Sequence, residues 1–261
     1  MKINTNGIEI HYEIAGEGPW VTLSHSLACN LHMWDDQMAA LTQRYKVLRF
    51  DTRGHGQSGA PPGPYTLEQM ADDVKGLLDA LCIQRTHWVG LSMGGMIGET
   101  FALKYPDVFR SLVLADTTSR RPPDADKMWG DRVKLAQEQG MEALVESTLT
   151  RWFTEPYRNA HPEVMARIGD AIRATPVAGF AGCCQAIAKI DLLDRLNEIK
   201  SPALVMVGDQ DHGTPPEMAR RIHENLAGSD LLIIPSAAHI SNIEQAAVFN
   251  QALLGFLGKV P

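Results

Sequence analysis

Apolar and polar residues alternate from Ile8 to Glu13, the spacing of a half-buried antiparallel strand. Turn chemistry follows at Gly16-Glu17-Gly18-Pro19. Trp20–Leu23 then reads as a second strand, which leaves Ser24-His25-Ser26-Leu27 at the rim of the sheet. From Trp34 to Leu41 the period becomes helical, with Trp34, Met38 and Leu41 on one face. Lys46 to Asp51 is strand-like again. Thr66-x-x-Gln69 is a capping box opening a helix whose Leu67, Met70, Val74, Leu77, Leu78 and Leu81 share a stripe. An apolar run through His87, Trp88 and Val89 enters a Gly-rich turn, and a helical run from Met93 towards Tyr105 leaves it. Ser111 to Asp116 predicts a further strand.

Beyond Asp116 the texture changes. From Thr118 to Ile190 no stretch has strand character; a Pro-rich start at Arg121-Pro122-Pro123 leads into several helical stretches. Strand signals return at Ala203–Val207 and Leu231–Ile234. Between them Pro215 stands near the start of a helix carrying Met218, Ile222 and Leu226, and a last helix is predicted from Ile243 to Leu257. Strands separated by helices predict an α/β fold with a mostly parallel sheet covered on both faces. Residues 1–117 and 191–261 are expected to form that core, and 118–190 a helical cap on its rim.

Composition narrows the chemistry. With 261 residues, 44% apolar and 21% charged, the chain can bury a sizeable core. A net charge of -7 argues against nucleic acid or an anionic membrane as partner, and it obliges an anionic substrate to find a local basic group. Cys29, Cys82, Cys183 and Cys184 show no metal-like spacing and suit free thiols in a reducing compartment. The polar N-terminus lacks an apolar signal core, and no stretch approaches the ~20 apolar residues that span a bilayer, so a cytoplasmic protein is expected.

The turn at Gly90-x-Ser92-x-Gly94 fits the nucleophile-elbow pattern. A serine at a sharp strand-to-helix turn is strained, and a Cβ on either flank would meet the neighbouring strand or helix. Such a serine needs a base, and the base an orienting acid, in chain order Ser, Asp or Glu, His. Gly208-Asp209-Gln210-Asp211-His212 and Pro235-Ser236-Ala237-Ala238-His239 each follow a strand, where open parallel sheets keep functional groups. His239 is the expected base. Asp211 is preferred as the acid because it lies further past its strand; Asp209 remains the alternative. His212 reads as a surface residue, and His25 and His55 as structural or pocket-lining. The oxyanion hole needs two backbone N–H donors, assigned to Met93 and Leu27.

Four motifs in the correct order now make the chain resemble the α/β-hydrolase superfamily: the elbow, Asp51-x-Arg53-Gly54-x-Gly56-x-Ser58, the late Asp211, placed as Gly-x-x-Asp before Pro215, and His239. More narrowly it is similar to the 3-oxoadipate enol-lactonase family. Leu23-Ser24-His25-Ser26-Leu27 with Met33-Trp34, Arg151-Trp152-Phe153-Thr154, and Ala238-His239-Ile240-Ser241-Asn242-Ile243-Glu244-Gln245 carry that likeness. It departs from most of the superfamily in having His25-Ser26 where His-Gly is usual. The resemblance implies opening of a small anionic lactone through a serine acyl-enzyme, in the breakdown of aromatic compounds, with no metal or organic cofactor. Arg132, Arg151 and Arg173 are candidates for the substrate carboxylate, and His25, Trp34, Trp129 and Trp152 for the pocket wall. A monomer or small homo-oligomer is expected. A broader carboxylesterase, a cofactor-free perhydrolase and a non-turnover ligand receptor of the same fold are the alternatives.

Overall fold

Side-chain burial shows how the sheet is built. At one edge, β1 (Lys2–Thr5) shows a half-exposed alternation, whereas the central strand β5 (Thr86–Leu91) is buried at every residue. The computed structural model describes residues 1–260. Its eight-stranded sheet also contains β2 (Ile8–Ala15), β3 (Trp20–Ser24), β4 (Lys46–Phe50), β6 (Phe109–Ala115), β7 (Ala203–Gly208) and β8 (Asp230–Ile234), in the spatial order β1-β2-β4-β3-β5-β6-β7-β8. β1 pairs antiparallel with β2 and β2 antiparallel with β4; every later pairing is parallel.

Residues 1–7, polar and without an apolar run, nonetheless supply β1. The cause is turn chemistry: Asn6 and Gly7 both take positive φ (47° and 78°), as a two-residue hairpin joining right-twisted strands requires.

Helices cover the sheet. A 3-10 turn (Leu31–Trp34) leads into α1 (Asp35–Leu41), so the helix predicted from Trp34 begins one residue later. α2 (Leu67–Ala80) starts as predicted, with the Thr66 hydroxyl accepting from the Gln69 N–H at 3.0 Å. α3 (Met93–Lys104) lies against β3, β5, β6 and α2. The centre of the core is aromatic: the Trp88 ring meets Phe101 at 5.7 Å and Phe50 at 6.3 Å. Burying each such side chain stabilises the fold by about 2–3 kcal/mol. Gly98 permits this approach, since a Cβ there would sit 2.3 Å from Trp88 Nε1.

After β6 the chain leaves the sheet through α4 (Ala125–Gln139), α5 (Glu142–Trp152), α6 (Glu155–Ala160), α7 (Pro162–Ala174) and α8 (Val177–Ile187). It returns beside its exit, where Arg120 bridges Asp191 and Asp194 at 2.8 and 2.5 Å and the Leu192 N–H donates to Ser119 O at 2.7 Å. α9 (Pro216–Asn225) covers β7 and β8. The final predicted helix is two: α10 (Ser241–Glu244) and α11 (Ala246–Leu257), broken at Gln245 (φ −125°, ψ 50°). Apolar periodicity is overridden there by side-chain bonds: Ser241 to Asp116, Asn242 to Gln37 and Met33, and Gln245 to Ser236. Among the described residues, no helix is long and apolar enough to cross a membrane.

Candidate active site

β5 ends at Leu91 and α3 begins at Met93, so Ser92 alone makes the turn, at φ 56° and ψ −114°. An L-residue held there stores roughly 1–3 kcal/mol of strain. The surroundings hold it: Ser92 N–H donates to Ala115 O at 2.9 Å, while Ser92 O accepts from Thr117 Oγ1 at 2.7 Å and from the Gly95 N–H at 2.9 Å. The flanking glycines are sterically required. A Cβ on Gly90 would lie 2.1 Å from Gly94 O, and one on Gly94 would lie 2.1 Å from Ser24 O.

Ser92 Oγ lies 2.9 Å from His239 Nε2, and His239 Nδ1 lies 2.8 Å from Asp211 Oδ2. The three residues come from the ends of β5, β7 and β8, separated in sequence but adjacent at one edge of the sheet. Asp211 Oδ1 also accepts from the N–H groups of Gly213 (2.7 Å) and Thr214 (2.9 Å), and Oδ2 from Thr214 Oγ1 (2.6 Å). Burial alone would raise this carboxyl, but the His239 charge and the hydrogen bonds from His239 and Thr214 outweigh it and bring Asp211 down to about 2. An acid that stays ionised fixes a proton on Nδ1 and leaves Nε2 free to accept from the serine. Asp209 does not reach the histidine; its carboxylate accepts from the Ala237 N–H at 3.3 Å.

The two expected oxyanion donors flank the serine. Met93 is the first residue of α3 and has no intrahelical acceptor for its N–H. Leu27 lies on a tight turn that Ala28 completes with φ 58°, and it lines the same cavity as Ser92.

That turn explains His25 and His55. Thr52 N–H donates to His25 Nε2 at 2.9 Å and Ala28 N–H to His55 Nε2 at 2.8 Å, while the Nδ1 atoms lie 2.7 Å from Ser26 O and 3.2 Å from Arg53 O. Both rings are therefore neutral, accepting at Nε2 and donating at Nδ1. Burial pushes both downwards, His55 to about 3. They pin the Leu27 turn to the loop after β4. His25, expected in the substrate pocket, is fully buried outside it, because its two ring nitrogens are used to hold backbone. Asp51 anchors the same loop, accepting from Leu31 N–H at 2.8 Å and Gln57 N–H at 2.9 Å, with His11 Nδ1 at 2.8 Å.

Above Ser92 a cavity of about 350 Å³ opens beneath α4, α5 and α8. Trp129, Arg132, Arg151 and Trp152 line it, as do Met96 and Phe180. Trp34 does not: it is fully buried against Phe249 at 6.2 Å, drawn into the core by the face it shares with Leu41. Arg173 is also away from the cavity, exposed and paired with Glu142 and Asp170. Neither Arg132 nor Arg151 forms an ion pair among the described residues. Arg132 Nη2 donates to Thr148 Oγ1 at 3.0 Å, and its buried Nε has no partner. Burial, reinforced by Arg151, brings Arg132 down to about 10, and burial lowers Arg151 too. Both stay charged near neutrality.

Sequence reasoning assigned no role to the supporting residues Thr117, Thr214 and Glu244, although Glu244 falls in the Ala238–Gln245 segment that carries the family likeness. Only Thr214 carried a local signal, since an Asp followed by Gly and Thr at positions two and three later suits an Asx-type turn.

A serine on a strained elbow, a histidine on its hydroxyl and an ionised aspartate behind that histidine form the arrangement that nucleophilic acyl transfer requires, on an α/β scaffold. The chain belongs to the alpha/beta hydrolase fold family, whose model matches residues 19–246. Among curated proteins it is 34% identical over 253 residues to 3-oxoadipate enol-lactonase 2 of Acinetobacter baylyi, covering 96% of this chain and 94% of that one. It is 30% identical over 253 residues to a protein of Agrobacterium fabrum named as a carbamate hydrolase, RutD, covering 95% of this chain and 97% of that one. Among solved structures, the enol-lactonase from Burkholderia xenovorans LB400 superposes with a TM-score of 0.96 at 41% identity, over 99% of this chain and 100% of that one.

Proposed function

We propose that this hydrolase opens a small carboxylate-bearing enol-lactone, 3-oxoadipate enol-lactone, to the open-chain 3-oxo diacid, and so serves the breakdown of aromatic compounds. The observation that carries the reading is the pair of arginines without carboxylate partners, Arg132 and Arg151, in the cavity that contains Ser92 and His239. Uncompensated guanidinium groups are costly to desolvate, and a substrate carboxylate offsets that cost while orienting the ring. The enol-lactonase relatives agree with this reading.

In the proposed reaction His239 Nε2 takes the Ser92 proton as Oγ attacks the lactone carbonyl. The N–H groups of Met93 and Leu27 hold the tetrahedral oxyanion. Collapse breaks the ring C–O bond. The departing enol oxygen takes the proton from His239, stays tethered to the acyl group and tautomerises to the ketone. His239 then deprotonates a water, which attacks the acyl carbon; Ser92 Oγ leaves with that proton and the diacid is released. Asp211 holds the imidazole orientation and stabilises its charged form.

Steady-state assays with the enol-lactone, a neutral aryl ester and a short carbamate test the assignment. The lactone should exceed the aryl ester in kcat/KM by about a hundredfold or more, the difference that a recognised buried charge supplies. Faster turnover of the neutral ester would replace the assignment with a general carboxylesterase, and faster turnover of the carbamate with a carbamate hydrolase.

A further inference from the structure

In the segment Ala238–Gln245, His239 is the residue placed against Ser92, and the side chains of Ser241, Asn242, Glu244 and Gln245 each make at least one hydrogen bond to the surrounding structure. Glu244, at the end of the short helix α10 that follows His239, is buried although it is a carboxylate. Its Oε2 accepts from the Ala238 N–H at 2.7 Å, the residue just before His239. Its Oε1 accepts from the backbone N–H of Thr154 at 3.0 Å and from Thr154 Oγ1 at 2.5 Å, on the corner between α5 and α6. On the other side of His239, the Ile240 N–H donates to Trp152 O at 3.1 Å. His239 is thus bracketed by two bonds to one helical corner. The Trp152 ring also lies 6.2 Å from the imidazole, and Arg151, one residue earlier, lines the cavity.

From this geometry we infer that Glu244 is a positioning residue that couples the helices over the cavity to the base: it makes His239 follow the corner that carries Arg151 and Trp152. The inference rests on the serine-hydrolase reading above. A carboxylate suits the role because both of its oxygens can accept, and all three groups facing it are donors. Charge-assisted bonds to backbone N–H groups are short and directional, so a shift of the α5–α6 corner is passed to Ala238 rather than absorbed. A bound substrate anion drawing Arg151 inwards would therefore also set the imidazole against Ser92. Substrate binding energy would then appear in the chemical step rather than in affinity.

Glu244→Gln places an amide NH2 where an N–H already points, and so breaks one side of the bridge. Thr154→Val removes the hydroxyl contact to Glu244 from the cap side together with the α6 N-cap bond from the Tyr157 N–H (3.4 Å), and Thr154→Ser keeps both. The substrates are an aryl acetate and an aryl half-ester of a short dicarboxylic acid, which differ in the anion. In Glu244→Gln, kcat on both should fall by about tenfold to a hundredfold with KM within about twofold, as expected when a reacting group is displaced by a fraction of an ångström. In Thr154→Val, the kcat advantage of the half-ester over the acetate should shrink severalfold, and in Thr154→Ser it should be retained. Thermal melts establish that each variant is folded; should Glu244→Gln not fold, the Thr154 pair decides alone. A folded Glu244→Gln with wild-type kcat, or a half-ester advantage equal in Thr154→Val and Thr154→Ser, overturns the coupling. Ser92→Ala separates this from failure of the underlying reading. If Ser92→Ala retains activity the serine assignment falls, and if it is inactive while the Glu244 and Thr154 variants behave as wild type, only the coupling falls.

Discussion

The floor and the roof of the cavity are built on opposite electrostatic plans. On the floor, Ser92, His239 and Asp211 form a closed chain in which each reactive polar atom has a partner, and Asp211 alone accepts four hydrogen bonds. In the roof, Arg132 and Arg151 keep their charge and form no ion pair among the described residues, the Asp211 carboxylate acting on Arg151 only through space. In the proposed reaction a saturated floor is indifferent to which acyl compound is presented, since its work there is to move one proton and hold one oxyanion. An unsaturated roof waits for a counter-charge, and so can discriminate. Under the proposed function, the contrast assigns reactivity to the sheet and selectivity to the helices above it.

The sharpest way to break the contrast is at the floor. Ser92→Ala and His239→Ala should each reduce kcat by about 10⁴–10⁶-fold on every substrate alike, with circular dichroism and melting temperature little changed. Loss confined to anionic substrates would show that the floor also selects. One step smaller, Asp211→Asn should reduce kcat by about 10²–10⁴-fold, because an amide can favour the wrong imidazole tautomer. Asp209→Asn, at a carboxylate that accepts from the Ala237 N–H and lies apart from the histidine, should stay within about twofold of wild type.

At the roof the expected effects are smaller and of another kind. Arg132→Gln and Arg151→Gln should raise KM for a carboxylate-bearing lactone by about tenfold to a hundredfold, leaving a neutral aryl ester within about threefold. Arg132 is expected to show the larger effect, since its buried Nε finds no hydrogen-bond partner among the described residues. Parallel KM and kcat measurements on the two substrates check this. Equal losses on both would mean that the arginines support packing rather than selection.

The same division explains what the chain made legible. The floor could be read because its chemistry requires particular residues at fixed points of local geometry: glycines where a Cβ would come within 2.1 Å of backbone, and Asp211 and His239 just past strand ends. Strand positions followed from apolar runs, and β1 escaped because only its Asn6-Gly7 turn, not its side chains, announces it. The roof was ambiguous because an arginine on an amphipathic helix looks alike in sequence whether it faces a cavity or solvent. Arg132, Arg151 and Arg173 could be separated only once packing was known. His25 and Trp34 misled in the same way. One spends both ring nitrogens on backbone and the other lies wholly in the core, and neither fact is local. The Glu244 bridge joins residues ninety positions apart, beyond any sequence period.

One buried charge-bearing group beneath the floor lets the contrast be sharpened by pH. Glu99 of α3 is fully buried, with Ser119 Oγ donating to Oε1 at 2.8 Å and Oε2 finding no partner among the described residues. Burial, only partly opposed by the Ser119 bond, pushes its carboxyl well above the ordinary 4.5, so the folded protein keeps a proton that the unfolded chain releases. The raised value sets the sign: below pH 4.5 both states hold the proton and Glu99 carries no penalty, and stability is lost progressively as pH rises from there towards the folded value. Glu99→Gln cannot titrate and has nearly the same shape. Its melting temperature should match wild type at pH 4 and exceed it by a margin that grows as pH rises above 4.5 and levels off past the folded value, with kcat and KM unchanged because Glu99 does not line the cavity. The roof arginines should show no such trend over this range, since Arg132 is brought down only to about 10 and stays charged throughout. Taking the mutant-minus-wild-type difference at each pH cancels the opposite slope of the buried histidines, His55 among them, which lose stability as pH falls from 6.5 towards about 3. A flat difference between pH 4 and pH 8 would mean that Glu99 ionises in place. The chain would then tolerate an unpaired buried charge beneath the serine as readily as it does above it.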